Sequence, residues 1–120
     1  MAAKKSGYGI AYDHIGIPTN ERSEKEHYSP EMQAHFWRCS DDGLRIEKIR
    51  FDADVSLPDE IKNRPHIAFK VDSLEDAIRG KQIVVPPSVH KPGIQFAYVE
   101  VEGILIEFFQ IGEPSPPMQL

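Results

Sequence analysis

Part of this chain is written twice, and that limits what it can fold into more than any other feature. His14-Ile15-Gly16-Ile17 returns as His66-Ile67-Ala68-Phe69, and Ile46-Glu47 returns as Ile106-Glu107. The histidines are offset by 66 − 14 = 52 positions and the glutamates by 107 − 47 = 60. One internal deletion of 60 − 52 = 8 residues in the first copy therefore reconciles both ends. Two copies of one supersecondary unit cannot each bury an apolar face alone, so they are expected to pack as like against like.

The second copy is the easier to read. Residues 66–71, 83–85, 94–101 and 104–111 are strand-like runs rich in β-branched and aromatic residues. Between the first two, Ser73 can cap a helix, with Asp76 three residues on. Leu74, Ala77 and Ile78 form its apolar stripe, and Gly80 supplies a left-handed stop. The order is β-α-β-β-β. In the first copy, strands are expected at 10–17, 35–39 and 44–51. The intervening TNERSEKEHYSPEM is polar, with no apolar stripe, and Ser29-Pro30-Glu31 starts at most one helical turn. The deletion falls where the helix would be. The expected fold is α+β: two paired βαβββ units, about 9–52 and 64–111, the first truncated with a weak or missing helix. Residues 1–8 and the Pro-rich tail 112–120 are expected to be flexible, and VPPSVHKPG (85–93) to be a loop.

Strand parity selects the residues that carry chemistry. Side chains alternate faces along a strand. Ile67, Phe69 and Val71 share one face and can pack under the helix, so His66 and Ala68 face away from it. In the last strand Ile104, Ile106 and Phe108 oppose Leu105, Glu107 and Phe109. Each repeated ionisable residue thus lies opposite the most core-like face of its strand. Gly16 and Ala68 follow their histidines on the same face and leave room beside the imidazole. Two imidazoles and two carboxylates on one concave surface suit a divalent ion: Zn, Ni, Mn or Fe. Glu107, set among Ile106, Phe108 and Phe109, is costly to bury without a cation, a proton or a donor. Glu47 also reads as a surface carboxylate pairing with Lys48 or Arg50. His27, His35 and His90 have no echo and read as surface or loop residues. Cys39 reads as a part-buried free thiol, and Val99 to Glu102 as a strand with solvent-facing acids.

Composition removes other classes. The chain of 120 residues carries 40% hydrophobic and 28% charged residues, the balance of a single globular domain. Its net charge of −5, without a basic cluster, argues against nucleic acid as a partner. No apolar run is long enough to span a bilayer, and no signal peptide is visible. One cysteine allows no internal disulfide, which agrees with a reducing, cytoplasmic setting.

On the strength of DHIGIP, PHIAFKVDSLEDAI and GILIEFFQ, residues 9–111 resemble the vicinal oxygen chelate superfamily. That group includes glyoxalase I, methylmalonyl-CoA epimerase, extradiol dioxygenases and the bleomycin-resistance proteins. The resemblance implies metal ligands in the first and last strand of each unit: His14, Glu47, His66 and Glu107. Tyr12, Leu105 and Phe109 share parity with neighbouring ligands and are expected to line the pocket; the resemblance casts Glu47 and Glu107 as ligands that also shuttle a proton. It implies a metal-dependent lyase or isomerase that works on a small oxygenated substrate through an enediolate-like intermediate, in a protein that commonly forms homodimers. Two alternatives stay open: a metal-free drug-binding module of the bleomycin-resistance type, and an iron-dependent extradiol-like dioxygenase. No glutathione-binding signature is recognisable, so the substrate does not carry over.

Overall fold

The computed structural model describes residues 9–40 and 42–112. The segment 1–8, and all of the expected tail but Gly112, lie outside them. In chain order the elements are β1 (Ile10–Pro18), β2 (His27–Ser29), β3 (Ala34–Arg38), β4 (Ile46–Phe51), α1 (Asp59–Asn63), β5 (His66–Val71), α2 (Leu74–Ile78), β6 (Gln82–Lys91), β7 (Ile94–Val101) and β8 (Ile104–Ile111). The strands form one curled sheet in the order β2-β3-β4-β1-β5-β8-β7-β6. Read outward from the centre, each half runs first strand, last strand, third, second. The expected α+β fold of two paired units is what forms.

The register makes the repeat physical. In the first unit β1 runs parallel to β4, with Gly16 beside Glu47; in the second, β5 runs parallel to β8, with Ala68 beside Glu107. The units join through antiparallel β1 and β5, where Ile15 faces Ile67. Like therefore meets like across a local two-fold.

On the convex side of the second unit, α2 buries Leu74 and Ala77 against Val71, Ala97, Val99 and Phe108. Ser73 caps it as expected, accepting from the Asp76 amide at 3.2 Å, and Gly80 follows at φ 75°. Gln110 fastens the same helix to β8, its Oε1 accepting from the Leu74 amide at 2.8 Å. In the first unit the eight residues between β1 and β2 form no helix. They cross the convex face as a polar strap: Arg50 makes two bonds to Glu26 at 2.8 and 2.9 Å, and Lys48 reaches Glu21 at 3.0 Å. The segment has no apolar stripe because the face beneath it presents Lys48 and Arg50.

Two expectations are corrected, and one element is new. Residues 85–93 are largely strand, not loop: β6 holds Pro86 and Pro87 at the outer edge of the sheet. There a missing N–H costs no ladder bond, and the pairing with β7 shifts register between Val85 and Ser88. Cys39 is exposed rather than part-buried. The linker between the units contains the unforeseen helix α1, which starts after Pro58 with Asp59 and Glu60 in its first turn. Its one buried residue, Ile61, packs with Val85, Tyr98 and Leu105 inside the concavity. A single apolar residue makes no stripe, so periodicity could not find it; Pro followed by two acids was the available signal.

Candidate metal centre

The pairing of β1 with β5 sets each histidine against the other unit's small residue: His14 opposite Ala68, and Gly16 opposite His66. The room left by Gly16 is filled by the partner imidazole. A Cβ at position 16 would lie 2.4 Å from Cε1 of His66 and 2.7 Å from its Nε2. The two rings stand edge to face with centroids 5.7 Å apart.

The strands beside them add the carboxylates. Glu107 Oε1 lies 3.2 Å from His66 Nε2, and Glu47 Oε1 lies 3.9 Å from His14 Nε2. Ligating atoms of His14, His66 and Glu107 all fall within 4.8 Å of one another. Glu47 lines the same cavity but stands outside that close trio. All four residues come from one chain.

The halves differ in what holds each carboxylate. Arg38 faces Glu47 across β3 and β4, and its Nη2 comes within 3.4 Å of Oε2. The matching place opposite Glu107 is taken by Tyr98, whose buried hydroxyl hydrogen-bonds the carboxylate. Burial, reinforced by the charge of Glu107, pushes the Tyr98 hydroxyl well above the ordinary tyrosine range, so it stays a proton donor. The sequence reading of Glu47 as a partner of Lys48 or Arg50 fails on parity: those two point to the convex strap, and the true partner comes from β3.

The histidines differ as well. Nδ1 of His14 lies 2.8 Å from Asp13 Oδ2, which fixes the proton on Nδ1 and aims Nε2 into the cavity. His66 is only 2% exposed, and both of its ring nitrogens lack a hydrogen-bond partner; the approach of Nε2 to Glu107 misses hydrogen-bond geometry. A buried polar atom left unpaired is costly. A divalent ion held by His14 Nε2, His66 Nε2 and Glu107 removes that cost at Nε2, and the donor set of two imidazoles and a carboxylate suits Zn, Mn, Fe or Ni. The residues fit the ion.

Of the three residues expected to line the pocket, Phe109 does so. Tyr12 does not. A bulge between Tyr12 and His14 inserts Asp13 into β1, so Tyr12 pairs with Phe69 and packs edge-on against its ring on the helix-bearing side. Leu105 faces the concave side but is sealed under Ile61 of α1. The sequence reading missed Tyr98, Arg38, Met32 and Phe96. The alternation Ile94, Phe96, Tyr98 in β7, apolar on the same face as the β8 carboxylate, was the signal for two of them.

No family model matches the chain, and no curated protein does. Among solved structures, the hypothetical protein BH1468 from Bacillus halodurans C-125 is similar, with a TM-score of 0.61 and 21% identity over 89% of this chain and 98% of that one. Methylmalonyl-CoA epimerase from Mycobacterium tuberculosis aligns with a TM-score of 0.48 and 15% identity over 88% of each chain. At 21% identity the likeness to BH1468 is one of fold. Among the described residues, no helix is long and apolar enough to cross a membrane.

Proposed function

We propose that this chain, whose two paired units and repeated His and Glu motifs resemble the vicinal oxygen chelate superfamily, is a metal-dependent enzyme that moves a proton on a small oxygenated substrate. His14, His66 and Glu107 hold the divalent ion. The observation that carries this reading is buried His66, unpaired at both nitrogens and within 3.2 Å of a carboxylate. When bound, the ion supplies Lewis acidity to a substrate oxygen and so acidifies the neighbouring C–H. Glu47 lines the same cavity outside the close trio and is not needed as a fourth ligand, so it is the group that takes the proton from carbon and returns it. Arg38 fixes the orientation of Glu47, and Tyr98 that of Glu107. Glu107 is thus a ligand alone, and the two carboxylates divide tasks that the resemblance assigned to both.

Protein dialysed against Zn²⁺, Mn²⁺ or Ni²⁺ should retain about one ion per chain, and His66→Ala should lose it. Undiminished stoichiometric binding in a His14→Ala, His66→Ala double variant counts against the centre. For the ion-loaded protein, a panel of 2-hydroxy ketones and 2-hydroxy acids in D₂O should reveal deuterium wash-in that Glu47→Gln abolishes without loss of the ion.

One observation favours a second reading. Two histidines and one carboxylate form the close trio, and that ligand set with open positions is the pattern of non-haem iron oxygenases. An iron enzyme of the extradiol kind predicts oxygen uptake with catechols, unchanged in Glu47→Gln. A metal-free binding module has less support, because it leaves both nitrogens of buried His66 without a partner.

A further inference from the structure

A repeat of two units has a single linker, and here the linker breaks the symmetry of the concavity. Between β4 and β5 the chain crosses the concave side, with Val55 buried, Leu57 part-buried and Ile61 packed on Tyr98 and Leu105. Below it lies a cavity walled by Phe51, Val55, Leu57, Val89, Phe96 and Met32, with an empty volume of about 660 Å³ including its open mouth. The cavity adjoins the His/Glu cluster: Met32, Phe96, Tyr98 and Glu107 line both. Among the described residues, the only charged side chains in the linker cavity's wall are Glu31 and Glu107, and no Lys or Arg lines either space.

Resting on the metal-centre reading above, we propose that the linker cavity is a subsite for an uncharged, apolar arm of the same substrate whose oxygens meet the ion. The physical reasons are two. Apolar walls favour alkyl or aryl groups by the area they remove from water. With Glu107 engaged by the ion, an anionic group placed deep in that cavity would lose hydration against apolar walls, meet Glu31 and find no Lys or Arg to pair with. The substrate class is therefore a small oxygenated head bearing a neutral alkyl or aryl substituent of a few carbons, and it excludes phosphate esters and acidic conjugates whose charge must enter this cavity.

The test uses hydroxamic acids, whose head chelates metals without reacting, and Zn²⁺-loaded full-length protein. From acetohydroxamate to hexanohydroxamate, affinity measured by calorimetry should rise by up to about fourfold per methylene. A chain of equal length ending in a carboxylate should bind at least about tenfold more weakly than its neutral counterpart, and Val89→Lys should narrow that gap. Val89 is 65% exposed, so this substitution leaves the core intact. If acetohydroxamate binds but added methylenes gain nothing, or if the carboxylate tip carries no penalty, the subsite is overturned while the metal centre stands. If acetohydroxamate does not bind in an ion-dependent way, the metal reading fails instead. The arm is then judged in ion-free protein by 1-hexanol. Shifts of the Val55, Leu57 and Val89 methyl resonances, with those of Val71 unmoved, uphold an apolar subsite; their absence overturns it.

Discussion

Ile15 of β1 lies directly opposite Ile67 of β5, and the two are the same residue of the two copies. An antiparallel pair in which equivalents face each other has its two-fold axis through that pair. Everything one step away is then exchanged between units: His14 meets Ala68, and His66 meets Gly16. The candidate centre follows from this pairing, because two histidines 52 positions apart are brought to adjoining places on one face.

Gly16→Ala tests that exchange. The added Cβ falls 2.4 Å from the His66 ring, which is buried and cannot easily retreat. Zn²⁺ affinity by calorimetry should drop about 10-fold or more, on the scale of lost ligand orientation. Ala68→Gly, which only removes volume beside His14, should change it less. Equal affinity in Gly16→Ala and the parent would mean that His66 is not a ligand in the arrangement described.

Asp13 is expected to act through His14. Asp13→Ala removes the acceptor of the Nδ1 proton and should weaken ion binding by about 10- to 100-fold. Asp13→Asn keeps an acceptor oxygen and should recover much of the loss, since the tautomer is still fixed. The readout is ion affinity in the two variants; a failure of Asn to outperform Ala would assign Asp13 a merely structural role.

The strap on the first unit should make the fold acid-sensitive. Glu26 is pulled from its ordinary 4.5 to about 2, first by its hydrogen bonds to Arg50 and then by the Ser23 amide. Because the folded value is depressed, the stabilisation is fully present above pH 4.5 and disappears as pH falls toward 2. Glu26→Gln should lower the urea midpoint near neutrality, and the difference from the parent should shrink as pH is taken down through that window. A difference that stays constant across the same range would show that the Glu26–Arg50 pair does not couple folding to protons.

Ile61 carries the linker. It is fully buried although its helix has only five residues. Ile61→Ala should cost about 2–5 kcal/mol in urea unfolding, the range for removing a large aliphatic side chain from a core. It should also reduce any methylene-dependent gain in hydroxamate affinity, because the same cluster supports the cavity wall. Loss of stability with no change in that gain would separate the linker's structural part from its binding part.

The repeat, the unit order, the helix at Ser73 and the four ionisable residues were legible from the chain itself, because strand parity and capping are local rules that each segment carries. The strap was legible only as an absence of apolar stripe; that it neutralises Lys48 and Arg50 needed β4 in place beneath it. Tyr12 was assigned to the wrong face because parity assumes an unbroken pleat, and the inserted Asp13 can be seen only against the partner strand. The prolines of β6 read as loop because a sequence does not state which strand is at an edge.

By itself, then, the sequence determined that two like units exist and which side chains of each turn away from the helix-bearing core. Tertiary structure decided the rest: which unit's glycine shelters which imidazole, that Arg38 holds one carboxylate and Tyr98 the other, and that the linker roofs one half of the cavity. The physical reason is that alternation and capping act between neighbours along the chain. Register, bulges and cross-strand partners are set by contacts between segments tens of residues apart, which no local pattern encodes.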